Sequence, residues 1–414
     1  MTTEVVLGPL VDLHTGVHCS LAGEPPPGFR YRLANGRHAF LMEQAGSPHR
    51  LPHVFEAVDF GAEAGIVHSC RWPVLSCAAW VADTDDFGYP VLCGRHGLNP
   101  EFRRRFREPW PPDFDAQIRR RLRNMLAAYL HPSCKRVFFR SRYAIDSARN
   151  WLDGLDAGAA GRAFLEKARV LYPAQRALPW QAVADKWATP APLEIVFCGR
   201  DYWTKNGPLA LDVFGRVLGP QVRGAYIGAI PAGEAERHRH VLERLTWHPS
   251  LDRAEVLAIF ARSHVLFHPS PYEGLGTVFL EASAAGMAVI CSKGRGMEHV
   301  AEVFEDDGAL FASDAAGFEE RLRAAMARPA AAREMGLSNY ERVAHGRFSL
   351  AERNRELVAA YEEALSAGAA EPLRIEDLPE RCGTVLHTLA SEEVKADETA
   401  YRAEIGMSEE RVDL

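Results

Sequence analysis

Short apolar runs alternate with helically spaced segments through the second half of the chain. Glycine, proline or polar residues bound each run, which is the pattern of buried strands. Strands that alternate with helices form a parallel sheet with helices on both faces. The pattern therefore predicts a doubly wound α/β domain. Its predicted strands are LEIVFCG, VRGAYIG, RLTWHP, HVLFHPS, MAVICS and GALFA.

The first half is also α/β but less regular. Apolar side chains recur at helical spacing over residues 115–130, which predicts an amphipathic helix there. After it, KRVFFRSRYAIDSARNWL predicts a strand that runs into a helix. The earlier predicted strands are EVVLGPL, FRYRL, GIVHS and AAWVADTDD.

The length of 414 residues exceeds that of one ordinary core, so we expect two domains. A stretch rich in proline and alanine separates the two halves and is interpreted as a linker. Two α/β domains would leave a cleft at the carboxyl ends of their strands, where ligands bind. The predicted segments are an N-terminal domain over 1–174, the linker over 175–191, a C-terminal domain over 192–346, a long helix over 347–367 and an acidic extension, loosely helical or disordered, over 368–414.

Composition narrows the classes of function. Apolar residues make up 47% of the chain and charged residues 25%, as in ordinary globular proteins, and the net charge of -7 argues against a nucleic-acid partner. The eight cysteines form no CxxC pair, so we expect neither a zinc site nor disulfides but the reduced thiols of a cytoplasmic protein. The chain shows no secretory signal and no apolar run near the roughly 20 residues that span a bilayer.

Two glutamates flank a glycine-containing turn after the predicted strand HVLFHPS. Pro271 and the glycines indicate a turn, and the alanine-rich stretch beyond it predicts a helix closed by Gly286. Backbone N–H groups and the helix dipole at such an N-terminus suit an anion. The residues placed there are Gly274, Leu275, Gly276 and Thr277.

Glu273 precedes this turn and Glu281 lies one turn into the predicted helix. Each carboxylate can accept hydrogen bonds from hydroxyl groups, so the pair suits a ligand with hydroxyls at both ends and phosphate between them, such as a nucleotide sugar. The alternative is that Glu273 caps the helix and Glu281 is solvated.

A second constellation lies on the loop after the first strand of this half. Gly199 ends that strand, Arg200 and Lys205 follow on one loop, and Gly207 precedes a helix. Two cations at a strand's carboxyl end can neutralise a diphosphate and stabilise it as a leaving group in place of a metal ion. The alternative is a pair of solvated surface cations.

These motifs carry a family resemblance that covers roughly residues 135–365. PYEGLGTVFLEASAAGMAVI resembles the Glu-x7-Glu signature of retaining glycosyltransferases with the GT-B fold, especially glycosyltransferase family four. CGRDYWTKNG resembles the Gly-Arg…Lys-Gly phosphate loop of that family, and KGRGMEHVAE resembles its segment beside the donor sugar. VLYPAQ is similar to the end of the family's first domain.

The resemblance implies two Rossmann-like doubly wound domains facing across a cleft, with the C-terminal helix crossing back to the N-terminal domain. It implies that Arg200 and Lys205 hold the diphosphate of a nucleotide-sugar donor, that Glu281 holds its ribose and that Glu273 contacts the transferred sugar. The other donor-binding residues that it implies are Gly199, Trp247, Gly274, Leu275, Gly276 and Thr277.

The N-terminal half departs from the family pattern. Members usually carry a glycine-rich loop after the first strand, whereas GPLVDLHTGVH offers no Gly-Gly pair, and Gly16 is the candidate for the loop nearest the diphosphate. Many members also place a histidine at a strand end facing the donor sugar. Here AAWVADTDDF has none, so His68 in the neighbouring strand is the candidate catalytic histidine, with a structural role as the alternative. His14 and His18 are weaker candidates.

The segment Asp-Thr-Asp at 83–85 also matches the short metal motif of the GT-A glycosyltransferase fold. Because the other motifs indicate GT-B, in which Arg and Lys replace the metal, we expect neither a metal nor any cofactor besides the donor substrate. Asp85 is kept as a candidate catalytic residue near the acceptor, and a hydrogen-bonded turn is the alternative.

Eight arginines lie between Arg103 and Arg123, interleaved with aromatic residues. Such a segment can touch the inner membrane face or an anionic acceptor, and acceptors of this kind of family include small molecules, glycans and lipid-linked sugars. The interpretation that we favour is a solvated helix face with salt bridges.

The predicted function is metal-independent, retaining sugar transfer from a nucleoside-diphosphate sugar to an acceptor hydroxyl. An alternative is a non-catalytic nucleotide-sugar-binding or partner subunit on the same scaffold. A sugar phosphorylase or nucleotide-sugar epimerase ranks below both.

Overall fold

The chain divides into two units, each with its own sheet and core. The first unit contains Met1–Tyr172 and Asn354–Leu414, and the second contains Pro173–Arg353. The computed structural model describes residues 2–43, 53–61, 65–85, 87–88, 114–188, 192–219, 222–294, 296–304, 307–368 and 370–404.

The strands follow one another along the chain in two groups, one for each unit, with a last strand near the C-terminus. The strands of the first group are β1 (Thr3–Gly8), β2 (Phe29–Leu33), β3 (Arg37–Met42), β4 (His53–Asp59), β5 (Val67–Cys70), β6 (Val74–Leu75), β7 (Trp80–Thr84), β8 (Cys134–Phe139) and β9 (Ala168–Val170). The later strands are β10 (Leu193–Cys198), β11 (Val222–Ile227), β12 (Thr246–His248), β13 (Val265–His268), β14 (Ala288–Ser292), β15 (Leu310–Ala312) and β16 (Val385–Ala390).

The helices lie between these strands, except that the last one follows β16. Those up to the first strand of the second unit are α1 (Ser20–Gly23), α2 (Phe114–Leu130), α3 (Arg142–Gly154), α4 (Gly158–Lys167) and α5 (Trp180–Ala188). The later ones are α6 (Gly207–Val217), α7 (Ala232–Arg237), α8 (Arg239–Leu242), α9 (Arg253–Arg262), α10 (Thr277–Ala284), α11 (Glu298–Phe304), α12 (Ala315–Ala327), α13 (Pro329–Ala344), α14 (Leu350–Ser366) and α15 (Ser391–Glu404).

The first unit is built on a parallel sheet in the order β2-β1-β5-β7-β8-β9. Its strands carry apolar runs because a parallel sheet is covered on both faces. Helix α14 begins in the second unit, and its residues from Asn354 onward belong to the first. Leu357 and Tyr361, one helical turn apart, are buried in the first unit's core with Val5 and Phe138.

A second sheet in the first unit, in the order β16-β3-β4-β6, has no counterpart in the sequence prediction. The strand β16 pairs antiparallel with β3 and brings the C-terminal segment onto this unit. Behind it, Val394 of α15 is buried against Phe40 and Met42. The segment 368–414, predicted as a loosely held or disordered extension, therefore supplies an ordered strand and helix within its described residues.

The second unit contains a parallel sheet in the order β12-β11-β10-β13-β14-β15. All six strands predicted from the second half of the sequence occur in it. The segment 175–191, predicted as a linker, contains α5 and packs on this unit. Val183 is fully buried, and the indole N–H of Trp187 donates to the carbonyl of Gly286 over 2.8 Å. Pro179 directly precedes the first residue of α5, so this part of the segment starts a helix of the second unit.

Within the residues that the structure describes, no helix is both long and apolar enough to cross a membrane.

Candidate functional site

The turn between β13 and α10 carries the first predicted motif. Gly276 precedes the helix at a φ of 68°, a left-handed conformation that favours glycine. Gly276 has no side chain to cap the helix, and within the first turn the N–H of Phe279 donates to the carbonyl of Gly276 over 3.0 Å. The N–H groups before it, up to Thr277, are the ones that can donate to a ligand. Leu275 is buried, so its side chain holds the turn against the rest of the second unit. This is the helix N-terminus that the sequence predicted.

Glu273 is buried at the base of this turn and has two partners on one oxygen. Its Oε1 accepts from Lys205 Nζ and from His268 Nε2, each over 2.7 Å. Its backbone N–H donates to the carbonyl of Gly296 over 3.0 Å, which ties the turn to the predicted donor-sugar segment. Glu298 supports that segment by accepting from the N–H of Gly296 over 2.8 Å.

Burial raises the pKa of Glu273, but the charge of Lys205 and the hydrogen bond from His268 more than offset it. The net effect lowers the pKa from the ordinary 4.5 to about 2. The carboxylate is therefore charged across the physiological range, held ready for hydroxyl donors.

The shifted pKa predicts how stability depends on pH. Since the pKa of Glu273 is lowered on folding, its contribution is present above about pH 4.5 and is lost as pH falls towards about 2. We expect the difference in free energy of unfolding between wild type and Glu273→Gln to be constant from pH 7 to 5 and to shrink below pH 4.5. The total decrease should be on the order of 3 kcal/mol at most. Urea unfolding at each pH measures it, with Glu320→Gln, an exposed helical glutamate, as control. A difference that stays constant down to pH 3 would contradict the charge assignment.

The cationic loop after β10 is held in a defined conformation. Asp201 accepts from both the backbone N–H and the hydroxyl of Thr204, over 2.7 and 2.8 Å. Asn206 has a left-handed conformation and donates from its side chain to the carbonyl of Pro269 over 3.2 Å, so the loop is anchored beside β13. A Cβ on Gly207 would lie 2.3 Å from the ring of Tyr202, so the helix start requires glycine.

The two predicted cations differ in their surroundings. Lys205 points to Glu273, with 28% of its side chain exposed. Arg200 is exposed and forms no ion pair with any residue in the described ranges. Gly199 is buried, and its N–H donates to the carbonyl of Ile227 in the neighbouring strand over 2.9 Å. Gly199 is therefore held in place at the end of β10. The loop after it carries two cations, Lys205, which is paired with Glu273, and Arg200, which is exposed.

Glu281 lies on α10 and is paired with an arginine that the sequence did not single out. Arg253, the first residue of α9, donates from Nε to Glu281 Oε1 over 3.1 Å and from Nη2 to Gln175 Oε1 over 2.6 Å. Burial raises the pKa of Glu281, and Arg253 offsets part of this rise. The carboxylate keeps a second oxygen for a ligand's hydroxyl groups.

Trp247 lies on the edge strand β12 and is half-buried against the second unit's core. Its indole N–H donates to the carbonyl of Gly228 over 3.0 Å. The indole nitrogen of Trp247 is therefore occupied by a contact within the protein, and the face of the ring is the part that can contact a nucleotide base.

In the first unit, Gly16 lies in a short helical turn, Thr15–Cys19, after β1. Its N–H donates to the Nδ1 of His14 over 3.2 Å. Burial and the nearby Arg140 lower the pKa of His14 to about 3, so this histidine is neutral. The prediction that Gly16 approaches a diphosphate stays a prediction.

The predicted position of His68 at a strand end requires correction. The sequence placed it at a strand end, but β5 continues to Cys70 and His68 lies inside it. Its ring is fully buried, its Nδ1 lies 2.6 Å from the hydroxyl of Tyr361, and that hydroxyl is 2.8 Å from the hydroxyl of Tyr31. His68 therefore links β5 to Tyr361 of α14, and its candidate catalytic role stays a prediction.

Asp83 and Asp85, the two ends of the Asp-Thr-Asp segment, have different partners. Asp85, just after β7, pairs with Arg140 and lies 3.8 Å from Arg71 Nε. Burial raises its pKa, but the two arginines lower it overall, so Asp85 is ionised. Its candidate role at the acceptor stays a prediction. Asp86 lies outside the described residues.

Asp83 forms a buried cluster with His18 and Cys70, and these side chains offer ligand atoms within 4.8 Å of one another. The hydrogen bonds do not fit a metal ion. His18 Nδ1 accepts from the backbone N–H of His14 over 2.6 Å, so the ring hydrogen is on Nε2, which donates to Asp83 over 2.9 Å. The nitrogen that would bind a metal is therefore a hydrogen-bond donor, and the cluster is a buried polar network.

Part of the arginine-rich segment, residues 103–113, lies outside the described residues. The arginines of α2 bind within the first unit. Arg119 and Arg121 donate to the carbonyls of Gly154 and His53, and Arg123 lies 3.1 Å from Glu380. Arg123 thus forms a salt bridge of the kind predicted, whereas Arg119 and Arg121 bind backbone carbonyls and Arg121 is buried rather than solvated.

Sequence reasoning missed His268, Arg253 and Gln175. Both Gln175 and Arg253 are distant from Glu281 in the sequence. Gln175 ends the motif VLYPAQ, which gives no sign of a contact with the donor site, and no motif contains Arg253. His268 had a usable signal, because it is the last residue of an apolar strand and lies five residues before Glu273.

One known protein family matches the part of the chain that contains the site. Residues 185–342 match the family described as Glycosyl transferases group 1. The matched segment contains the cationic loop and both glutamates. The second unit therefore carries a glycosyl transferase group 1 domain.

Two curated relatives align with part of the chain. The gpi3 subunit of the phosphatidylinositol N-acetylglucosaminyltransferase of Schizosaccharomyces pombe is 32% identical over 114 residues, 26% of this chain and 25% of the relative. The D-inositol 3-phosphate glycosyltransferase of Segniliparus rotundus is 30% identical over 206 residues, 47% of this chain and 45% of the relative. The alignments thus span a quarter and under half of these relatives' lengths.

Solved structures extend the likeness to the fold of most of the chain. Anabaena Alr3699/HepE in complex with UDP and glucose has a TM-score of 0.53 at 14% identity, covering 87% of this chain and 100% of that one. WaaG, a glycosyltransferase involved in lipopolysaccharide biosynthesis, has a TM-score of 0.52 at 13% identity, covering 86% and 98%. The fold is GT-B, built from two Rossmann-like units, and the predicted fold class is confirmed.

Proposed function

We propose that the chain is a retaining glycosyltransferase of the group 1 type, in family four, that moves a hexose-like sugar from a nucleoside-diphosphate sugar to an acceptor hydroxyl. One observation carries the proposal. The second unit combines an exposed arginine, a lysine and a buried ionised glutamate beside an uncapped helix N-terminus. Such a site offers donors to phosphate and acceptors to sugar hydroxyls at once.

Each residue has a separate role in this proposal. Arg200 and Lys205 neutralise the diphosphate, and the N–H groups from Gly274 to Thr277 add the helix dipole. Glu281, oriented by Arg253, accepts from the ribose hydroxyls. Glu273 accepts from a hydroxyl of the transferred sugar, which places the anomeric carbon relative to the leaving phosphate.

The proposed chemistry uses charge stabilisation rather than a metal. The bond from the anomeric carbon to the diphosphate breaks as Arg200 and Lys205 take up the developing negative charge. The acceptor hydroxyl attacks from the face that the diphosphate leaves, and the departing phosphate oxygen accepts its proton. This route needs no histidine from the first unit, which suits the buried position of His68.

The test is a donor panel read by release of nucleoside diphosphate, preceded by calorimetry with the nucleotides alone. UDP-glucose and UDP-N-acetylglucosamine are the first donors to test. One similar structure contains UDP and glucose, and one similar protein is named as an N-acetylglucosaminyltransferase subunit. Phosphatidylinositol and D-inositol 3-phosphate belong among the acceptors for the same reason. Absence of binding to every nucleotide would overturn the proposal.

A non-catalytic binding subunit is the second candidate, and the burial of His68 is the observation that favours it. It predicts nucleotide-sugar binding without release of nucleoside diphosphate over the whole acceptor panel. Arg200, Lys205, Glu273 and Glu281 count against it, since a unit that only binds has no need of two cations at the leaving group.

The role of Arg253 gives a testable pH dependence. Burial already raises the pKa of Glu281, so removal of the arginine in Arg253→Gln raises it further. We expect the Kd for nucleoside diphosphate to increase about tenfold at pH 7.5 and further at pH 5.5, because a protonated Glu281 is a weaker acceptor. Calorimetry at the two pH values measures both effects.

The matched control is Arg262→Gln at the other end of α9. Arg262 is more than half exposed and lies 3.4 Å from Glu194, away from Glu281. It should bind nucleotide like wild type at both pH values. Equal affinities for Arg253→Gln and wild type at pH 5.5 would contradict the role of Arg253.

A further inference from the structure

His268 ends β13 and takes no part in the mechanism described above. Its ring is almost completely buried, at 1% exposure, and its Nε2 lies 2.7 Å from Glu273 Oε1. A buried histidine can be a packing residue, so its contacts decide whether it does more.

The ring of His268 is held in one orientation. Phe197 stacks on it with centroids 6.0 Å apart and planes 19° apart, and Phe279 packs edge-on at 5.1 Å and 84°. Its Nδ1 has no hydrogen-bond partner within the described chain. Since Glu273 is an ionised acceptor, the ring carries a hydrogen on Nε2 and donates it to the carboxylate.

The two oxygens of Glu273 are unequal as a result. Oε1 receives both His268 Nε2 and Lys205 Nζ, whereas Oε2 accepts no hydrogen bond from the described residues. Oε2 lies on the side of Gly276, where a Cβ would approach it to 3.5 Å. The free oxygen therefore lies beside the helix N-terminus that the proposed function assigns to the donor.

Lys205 and His268 also differ in mobility. Lys205 has a long, flexible side chain that is 28% exposed and can turn towards a diphosphate. His268 is fixed between two aromatic rings and cannot follow. When phosphate draws Lys205 away, His268 is the donor that remains on Oε1.

We propose that His268 is the positioning residue for sugar recognition: it clamps one oxygen of Glu273 so that the other stays directed at a hydroxyl of the donor sugar. The inference rests on the proposed function and deepens it, since it assigns recognition of the sugar, as distinct from the nucleotide, to the pair His268–Glu273.

The experiment compares two ligands on the full chain. One is the nucleotide sugar that binds best in the donor panel, and the other is its nucleoside diphosphate, which lacks the sugar. His268→Phe keeps a ring but removes the donor, and His268→Met removes the donor with a flexible side chain should phenylalanine not fit. His268→Gln keeps an N–H donor close to the position of Nε2.

The matched control is His264→Phe, four residues earlier on the same segment. His264 is also buried, but its ring contacts Trp187 and its Nδ1 accepts from the backbone N–H of Glu194 over 3.2 Å. The variant His264→Phe tests whether loss of any buried histidine near β13 disturbs the site. Thermal unfolding confirms that each variant is folded.

We expect His268→Phe and His268→Met to raise the Kd of the nucleotide sugar about tenfold, the scale for loss of one hydrogen bond to a charged group, and to leave the Kd of the nucleoside diphosphate within about twofold. His268→Gln should recover most of the loss, and His264→Phe should bind both ligands like wild type. For turnover, loss of the donor raises the pKa of Glu273, so the acid limb of the pH profile should move to higher pH in the phenylalanine variant.

Equal losses for the two ligands, or no loss for either, would overturn the role of His268. Failure of the glutamine variant to recover binding would also overturn it, because a packing role alone predicts no benefit from an N–H group. Failure of the proposed function is distinguishable, since wild type would then bind neither ligand, or would bind the nucleotide sugar without releasing nucleoside diphosphate over the whole acceptor panel.

Discussion

Replacement of Lys205 by alanine is expected to lower the rate of sugar transfer by about a hundredfold to a thousandfold, the scale for loss of one preorganised donor to a developing negative charge. Lys205 Nζ lies 2.7 Å from Glu273 Oε1. Two functions are lost together, namely charge neutralisation at the diphosphate and the counter-charge that lowers the pKa of Glu273.

The fold should survive this change. Asp201 and Asn206 shape the loop through hydrogen bonds that do not involve the lysine side chain, and His268 still binds the buried carboxylate. Circular dichroism and thermal unfolding test this directly. Lys135→Ala, in β8 of the first unit, is the control lysine and should transfer sugar like wild type.

Nucleoside diphosphate release under single-turnover conditions separates chemistry from product release. In Lys205→Ala the chemical step should slow, because the leaving group is less stabilised in the transition state than in wild type. Activity within about tenfold of wild type would remove Lys205 from the leaving-group role. It would leave Arg200 as the cation at the phosphate.

The strands of the second unit were predictable because parallel strands are buried on both faces and appear as continuous apolar runs. The same reasoning could not find the sheet β16-β3-β4-β6. The strand β16 is half-exposed, and its partner β3 lies near the other end of the chain, with Arg37 opposite Ala390. A pairing between segments so far apart leaves no local pattern in either one.

The site was predictable to the extent that one loop or one turn builds it. The Gly276 turn and the Lys205 loop follow directly from glycine and proline positions. Support from elsewhere in the unit was not predictable, since Arg253 reaches Glu281 from the start of another helix. His68 was misplaced for a related reason: the sequence does not show that β5 runs on to Cys70 and turns the ring into the core.

Glu273→Gln is the second change with a large expected effect. It distinguishes contacts to the sugar of the donor from contacts to its nucleotide. Glutamine keeps the size of the side chain and an oxygen that can accept from His268, so the turn should retain its shape. The negative charge is lost, and with it the stronger hydrogen bond to a sugar hydroxyl and the pairing with Lys205. We expect turnover to fall about a hundredfold, while the Kd of nucleoside diphosphate stays within about threefold of wild type.

Glu281→Gln is the matched variant because it removes a carboxylate of the same type from the same segment, eight residues away. It should give the opposite result, with weaker binding of nucleoside diphosphate and a smaller change in the rate of the bound complex. Calorimetry and single-turnover rates on both variants complete the comparison. If both substitutions weaken nucleotide binding equally, Glu273 does not face the sugar. A turnover for Glu273→Gln within about threefold of wild type would show that transfer does not need its charge, because the hydrogen bond from a sugar hydroxyl to a charged acceptor would then contribute little to the transition state.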